Sequence, residues 1–178
     1  MSWKIHKKRH LTSFQVIILG FAGVILFGAL ILMLPISSAQ AIITPFHKAL
    51  FTSTSAVCVT GLVVLDTGSY WSVFGQTVIM FLIQIGGLGV ITTATSVFIL
   101  SGRKISIMQR STMQNAISAP KVGGIVRLMS FILKGTLLIE LIGALFMIPV
   151  FCHDFGLRGI WMSIFHSVSA FCNAGFDL

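Results

Sequence analysis

Two short strings carry the residue types in this chain that suit chemistry: Cys58-Val59-Thr60-Gly61 and Cys172-Asn173-Ala174-Gly175. Three chemistries use such residues. A thiol beside a histidine, here His47 or His166, is a nucleophile. Cysteines paired with histidines at short spacing hold a metal. Backbone carbonyls freed by a glycine coordinate a cation stripped of water. No CxxC or Cys/His metal spacing is present, and the cysteines number three: Cys58, Cys152 and Cys172. An odd count in apolar surroundings points to free buried thiols rather than a disulfide set. The choice between thiol and carbonyl chemistry depends on the elements that carry the strings.

The chain has 178 residues, 56% hydrophobic and 9% charged, with mean hydropathy +1.00. Soluble domains carry about 25% charged residues. So little charge cannot keep a globule in water, and the composition defines a membrane protein. The net charge of +8 is grouped at apolar flanks. Lys4, Lys7, Lys8 and Arg9 precede the first apolar run, and Arg103, Lys104, Arg110, Lys121 and Arg127 gather later. That is the mark of cytoplasmic segments, not of nucleic-acid binding. Residues 1–13 and 101–125 are therefore expected in the cytoplasm.

The first apolar run, about 14–34, is longer than a signal-peptide core and long enough to span a bilayer. Pro35 ends it, and 36–45 is a loop. Residues 46–57 fit three helical turns, with Thr44 as N-cap and Pro45 in the first turn. At roughly 18 Å this helix cannot cross a hydrocarbon core of about 30 Å. The string 58–62 follows it. Tyr70 and Trp71 then mark the interface before a long run, 72–100, about 43 Å if helical. Inside it Gly86, Gly87 and Gly89 read as a close-packing face or a hinge. After the polar stretch 101–125, a third span covers about 128–151 and carries Glu140. Its nearest base in sequence, Lys134, falls on another face, so Glu140 is a functional candidate or a hydrogen bond to a neighbouring helix. His153-Asp154 marks a loop, 158–171 is a second short helix, and 172–176 is the second string.

The halves repeat. Shifted by 114, Phe51–Leu62 falls on Phe165–Phe176 with six of twelve residues identical. Met33 falls on Met147, and Pro35 on Pro149. A unit of span, short helix, loop and span crosses twice, so its copies are direct repeats around an axis along the membrane normal. Irregular backbone at membrane depth is tolerated where it lines a water-filled cavity. The expected architecture is an all-α membrane protein of repeated helix–pore helix–filter loop–helix modules. Carbonyls of 58–61 and 172–175 face a shared axis, the short helices aim their negative ends at it, and Asp66 and Asp177 gather cations at the outer mouth. Module one is 14–100 and module two, incomplete, 126–178.

With these residues in view, the chain resembles the Trk/Ktr/HKT superfamily, in particular its bacterial KtrB-type membrane subunits. The resemblance rests on AVCVTGL, IQIGGLGVIT and FHSVSAFCNAGFDL, in the family's order, and covers nearly the whole chain. It implies four modules around one pseudo-fourfold pore, with Cys58, Val59, Thr60, Gly61, Cys172, Asn173, Ala174 and Gly175 forming two filter strands. It implies K+ as the transported ion, Na+ dependence, no covalent cofactor, a homodimer in the cell membrane, and a cytosolic nucleotide-binding ring of KtrA type as partner. One glycine per filter implies a short filter of looser selectivity. One module and most of a second cannot close such a ring, so a fragment, or a pore completed by other chains, is expected. Two other functions fit the composition: a membrane thiol enzyme, and a non-conducting scaffold that docks a soluble partner through 101–125.

Overall fold

The computed structural model describes residues 13–90, 92–93 and 125–178. The basic N-terminal segment, residues 94–100 and nearly all of 101–125 lie outside the described residues. The chain forms helix α1 (Ser13–Leu32), a 3-10 turn (Pro35–Ser37), α2 (Phe46–Val57), the single turn α3 (Thr67–Tyr70), α4 (Val73–Leu88), α5 (Ile125–Phe155) and α6 (Arg158–Phe171). Two stretches are long and apolar enough to cross a membrane: Gln15–Leu32, mean hydropathy 2.6, and Arg127–Phe155, mean hydropathy 2.1. Their outer faces stay exposed and apolar, as at Phe27, Leu30, Phe131 and Phe146.

Each short helix leans on the span before it. Gly28 of α1 leaves room for Ser53, whose hydroxyl donates to the Ile25 carbonyl at 2.7 Å. Gly143 of α5 does the same for Ser167, which donates to the Glu140 carbonyl at 2.6 Å. At each glycine an added side-chain carbon would stand 2.6 Å from that serine hydroxyl oxygen. A small residue under a hydroxyl is how helices approach closely without water. The two seats are equivalent, but Gly28 and Gly143 lie one residue further apart than the shift of 114 that relates Ser53 to Ser167. The gapless match of the spans therefore holds at Met33/Met147 and Pro35/Pro149 and slips by one residue below them.

Several expectations are corrected. Thr44 does not cap α2: Pro45 holds that position, and the Thr44 hydroxyl lies 3.1 Å from the Tyr70 hydroxyl. Trp71 is not an interface anchor but a core residue, 1% exposed, in edge contact with Tyr70. Backbone bonds from Ala39 to Tyr70 (2.9 Å) and from Ser72 to Ser37 (2.9 Å) pull it in. Ser72 caps α4 by accepting from Gly75 N–H. The long run does not continue as one helix: α4 ends at Leu88, and Gly89 adopts φ +83, with its N–H on the Gly86 carbonyl. His153-Asp154 is no loop, because α5 runs on through Pro149 to Phe155.

Candidate functional site: two glycine loops on one pair of helices

Both short helices end in the same way. In α2 the N–H groups of Val59 and Thr60 reach back to the carbonyls of Ala56 (3.3 Å) and Ser55 (3.0 Å). In α6 Asn173 and Ala174 reach the carbonyls of Ala170 (3.0 Å) and Ser169 (2.7 Å). This pair of bonds is a Schellman turn, which requires a left-handed residue just after the cap. Val59 (φ 56) and Asn173 (φ 56) supply it. Glycine is the usual occupant; a β-branched valine there is strained.

The loops continue in step. Gly61 (φ 70) and Gly175 (φ 71) are left-handed again, while Cys58 (φ −85) and Cys172 (φ −76) are right-handed. Thr60 and Ala174 are not among the left-handed residues. The sign of φ thus alternates through four residues in both loops. Among the described residues, no hydrogen bond reaches the carbonyls of 58–61 or of 172–175. The carbonyls of Ser55, Ala56, Ser169 and Ala170 are tied into the turns.

The two loops meet. A side-chain carbon on Gly61 would stand 2.7 Å from the Ala174 carbonyl oxygen, and one on Gly175 would stand 3.3 Å from the Gly61 Cα. The glycines of α4 lie behind them. Gly86 faces the Val57 carbonyl, and a side-chain carbon on Gly87 would stand 2.5 Å from the Cys172 Sγ. Gly86 packs against the last residue of α2, Gly87 against the first residue of the second loop, and Gly89 ends the helix.

The hydroxyls around the loops differ. Ser55 bonds the Thr60 hydroxyl at 2.9 Å. Its equivalent, Ser169, lacks that partner because residue 174 is alanine. It instead donates to the Phe176 carbonyl (2.6 Å) and accepts the Phe176 N–H (3.1 Å). Phe176 is consequently buried, whereas Leu62 is exposed. Asp66 is exposed and caps α3, accepting the Ser69 N–H at 2.8 Å and the Ser69 hydroxyl. Those two bonds hold its carboxyl below the ordinary value of 3.8. Asp177 is exposed and, with His166, Asn173 and Gly175, lines a cavity of about 520 Å³ beside the second loop.

Cys58 is exposed and Cys172 half-buried, and neither bonds a histidine among the described residues. The ring of His166 lies instead against Phe151, its Nδ1 2.8 Å from the Met162 carbonyl. Sequence reasoning missed Gln76, 2% exposed. It donates to the Trp71 carbonyl (3.1 Å) and accepts the Trp161 indole N–H (2.8 Å), joining α4 to α6. A glutamine in an apolar run gives no sequence signal for such a role.

The comparisons agree with the resemblance. A family model described as TrkH, Cation transport protein, matches residues 3–178, and the chain belongs to that family. It is 46% identical over 172 residues to the Potassium/sodium uptake protein NtpJ of Enterococcus hirae, covering 96% of this chain and 38% of that protein. It is 44% identical over 176 residues to the Ktr system potassium uptake protein B of Bacillus subtilis, covering 98% and 39%. The protein of the same name in Vibrio alginolyticus is 37% identical over 165 residues, covering 92% and 36%. The chain thus spans under two-fifths of the length of these curated relatives. Their names are those of uptake proteins.

Proposed function

We propose that the chain is the ion-selecting part of a membrane protein that takes up K+, with the two glycine loops as two strands of its filter. One observation carries this reading: the loops share one backbone path, alternate in φ sign, leave eight carbonyls without a hydrogen bond among the described residues, and touch at Gly61 and Gly175. Alternating φ turns successive carbonyls toward one side, and a convergent set of carbonyls replaces the water around a dehydrated cation. Each glycine is needed twice, for its left-handed φ and for the close approach.

The rest of the proposal follows from family membership and chain pattern. Two further modules complete the ring around a pseudo-fourfold axis. Asp66 and Asp177 stand at the outer mouth and concentrate cations there. Na+ accompanies or activates K+ movement, as the name of the Enterococcus hirae relative suggests. The protein works as a homodimer in the cell membrane with a cytosolic nucleotide-binding ring docked near 101–125, in keeping with relatives named as parts of a Ktr system. The scaffold reading needs 101–125 but leaves the paired loops without a purpose.

The test is K+ uptake in cells lacking their own uptake systems, rescued by the protein that carries this chain or by its Gly61→Ser and Gly175→Ser variants. The expected outcome is rescue by the parent and a preference for K+ over Na+ reduced about tenfold in each variant, equivalent to about 1.4 kcal/mol. Equal rescue and equal preference in all three would make the glycines packing residues and remove the filter.

A further inference from the structure

A carbonyl filter gives the side chain of Glu140 no role. It stands on α5, 7% exposed, with no basic side chain in ion-pair range among the described residues. Gln84 of α4 lies within hydrogen-bonding reach of it. Yet Oε1 of Glu140 and both polar atoms of the Gln84 carboxamide are buried and lack a partner of good geometry. Three adjoining polar atoms left this way are costly in a low-dielectric interior.

The repeat sharpens the question. In the α1 seat the residue equivalent to Glu140 is Ile25, whose carbonyl accepts from Ser53 as that of Glu140 accepts from Ser167. The seat itself therefore needs no acid. The acid stands where α5 comes within reach of Gln84 on α4 of the other repeat, whereas α1 packs on α4 of its own repeat. An ionised carboxylate there would be a buried charge without a counter-charge, and it would leave the Gln84 carbonyl oxygen with no donor. A carboxylic acid satisfies every atom. Its O–H donates to Gln84 Oε1, and its other oxygen accepts from Gln84 Nε2.

We propose that Glu140 is held as a neutral carboxylic acid in a two-bond acid–amide clasp with Gln84, fastening the second repeat to the first behind the Cys172–Gly175 loop. Three residues beyond Gln84 lies Gly87, against which the Cys172 thiol packs, preceded by Gly86, which faces Val57. Fixing α4 to α5 at this level sets how both loops lie on the α4 glycines. Glu140 and Gln84 are positioning residues. The titratable group facing Glu140 from a neighbouring element is Cys172. Lys134, on the same helix, is exposed.

The experiment is infrared absorption of the purified protein that carries this chain, at neutral pH, for the parent, Glu140→Gln and Gln84→Leu. The parent is expected to show the carbonyl stretch of a protonated carboxylic acid. That band is lost in Glu140→Gln and moves to higher frequency in Gln84→Leu, where the bonds to the amide are gone. A parent spectrum that matches Glu140→Gln in this region overturns the proposal and points to a bound cation or water instead. A second arm rests on the K+ uptake reading. Glu140→Gln rebuilds the clasp as an amide pair and is expected to keep uptake and K+ preference within about threefold, while Glu140→Leu loses tenfold or more. Equal loss in both would mean that a charge is required, and would also overturn the clasp. Because the spectrum does not depend on transport, a failure of the uptake reading leaves that arm intact.

Discussion

Val59 and Asn173 hold the same left-handed position with unequal ease. Asparagine tolerates it, whereas a β-branched residue there stores roughly 1–3 kcal/mol of strain. Val59→Gly should therefore stabilise the protein by about 1 kcal/mol net of the entropy that glycine loses on folding, and Asn173→Gly should be near neutral. Thermal unfolding of the solubilised protein reads the difference. At Asp66 the sign of the pH dependence is fixed by the two Ser69 bonds. A carboxyl held below 3.8 contributes stability that is complete above that pH and is lost as the pH falls through its lowered value. Amide exchange at Ser69 should accelerate only at pH below about 4, and Asp66→Ala should make it fast throughout. At this scale the sequence was informative about glycines and silent about torsions. Gly61 and Gly175 stood out by type and by repeat, but nothing in a valine announces a left-handed φ. The tie of Asp66 to Ser69 was likewise hidden, although Asp followed by a hydroxyl residue three places on is a helix-start pattern.

Paired elements allow paired tests. Ser53→Ala and Ser167→Ala each remove one buried hydroxyl bond from equivalent seats, so each should cost about 0.6–1 kcal/mol, and the two costs should agree. Gly86→Ala should be worse than Gly87→Ala. Its new carbon meets the Val57 main chain, whereas that of Gly87 first meets the Cys172 side chain. A cost of about 1–3 kcal/mol is expected for Gly86→Ala, read as a shift of the denaturant midpoint. The ends of α2 and α6 were legible because Pro45 opens one and the Cys-containing strings close both. The break of α4 at Gly89 was not, since a glycine within an apolar run looks the same whether it packs, bends or stops a helix. The continuation of α5 beyond Pro149 was also hidden. The proline that ends α1 at one copy is absorbed at the other, and no local residue distinguishes them. Trp71 was misread for a different reason: interface aromatics and core aromatics differ in their neighbours, not in their type.

For the molecule as a whole, membrane residence was legible in a shortage of charge, and the repeat linked two distant strings as one candidate site. The contact of Gly61 with Ala174 and Gly175 depends on α4 serving both loops at once, and no periodicity reveals that. Sidedness is the prediction that belongs here. From the basic residues, 101–125 is expected on the cytoplasmic side and the loops after α2 and α6 nearer the outer face. A cysteine at Ser111 should be reached by a membrane-impermeant thiol reagent only from inside, and one at Asp66 only from outside. Labelling of both from one side would refute the direct repeat and, with it, the ring.

In the seats of α2 and α6 a serine hydroxyl makes the equivalent bond over an equivalent glycine, yet those glycines are offset by one residue relative to the helices they receive. In terms of descent, the two halves look like a duplicated gene segment that later gained or lost a single codon between Ala29 and Met33, or between Ala144 and Met147. The change was survivable there because α1 stops just beyond it and tightens into a 3-10 turn, while α5 carries on. The same codon gained between Ser53 and Gly61 would have moved a seat against its loop. Length should therefore drift freely among descendants at the ends of the spans and stay fixed from each seat serine to its loop glycine.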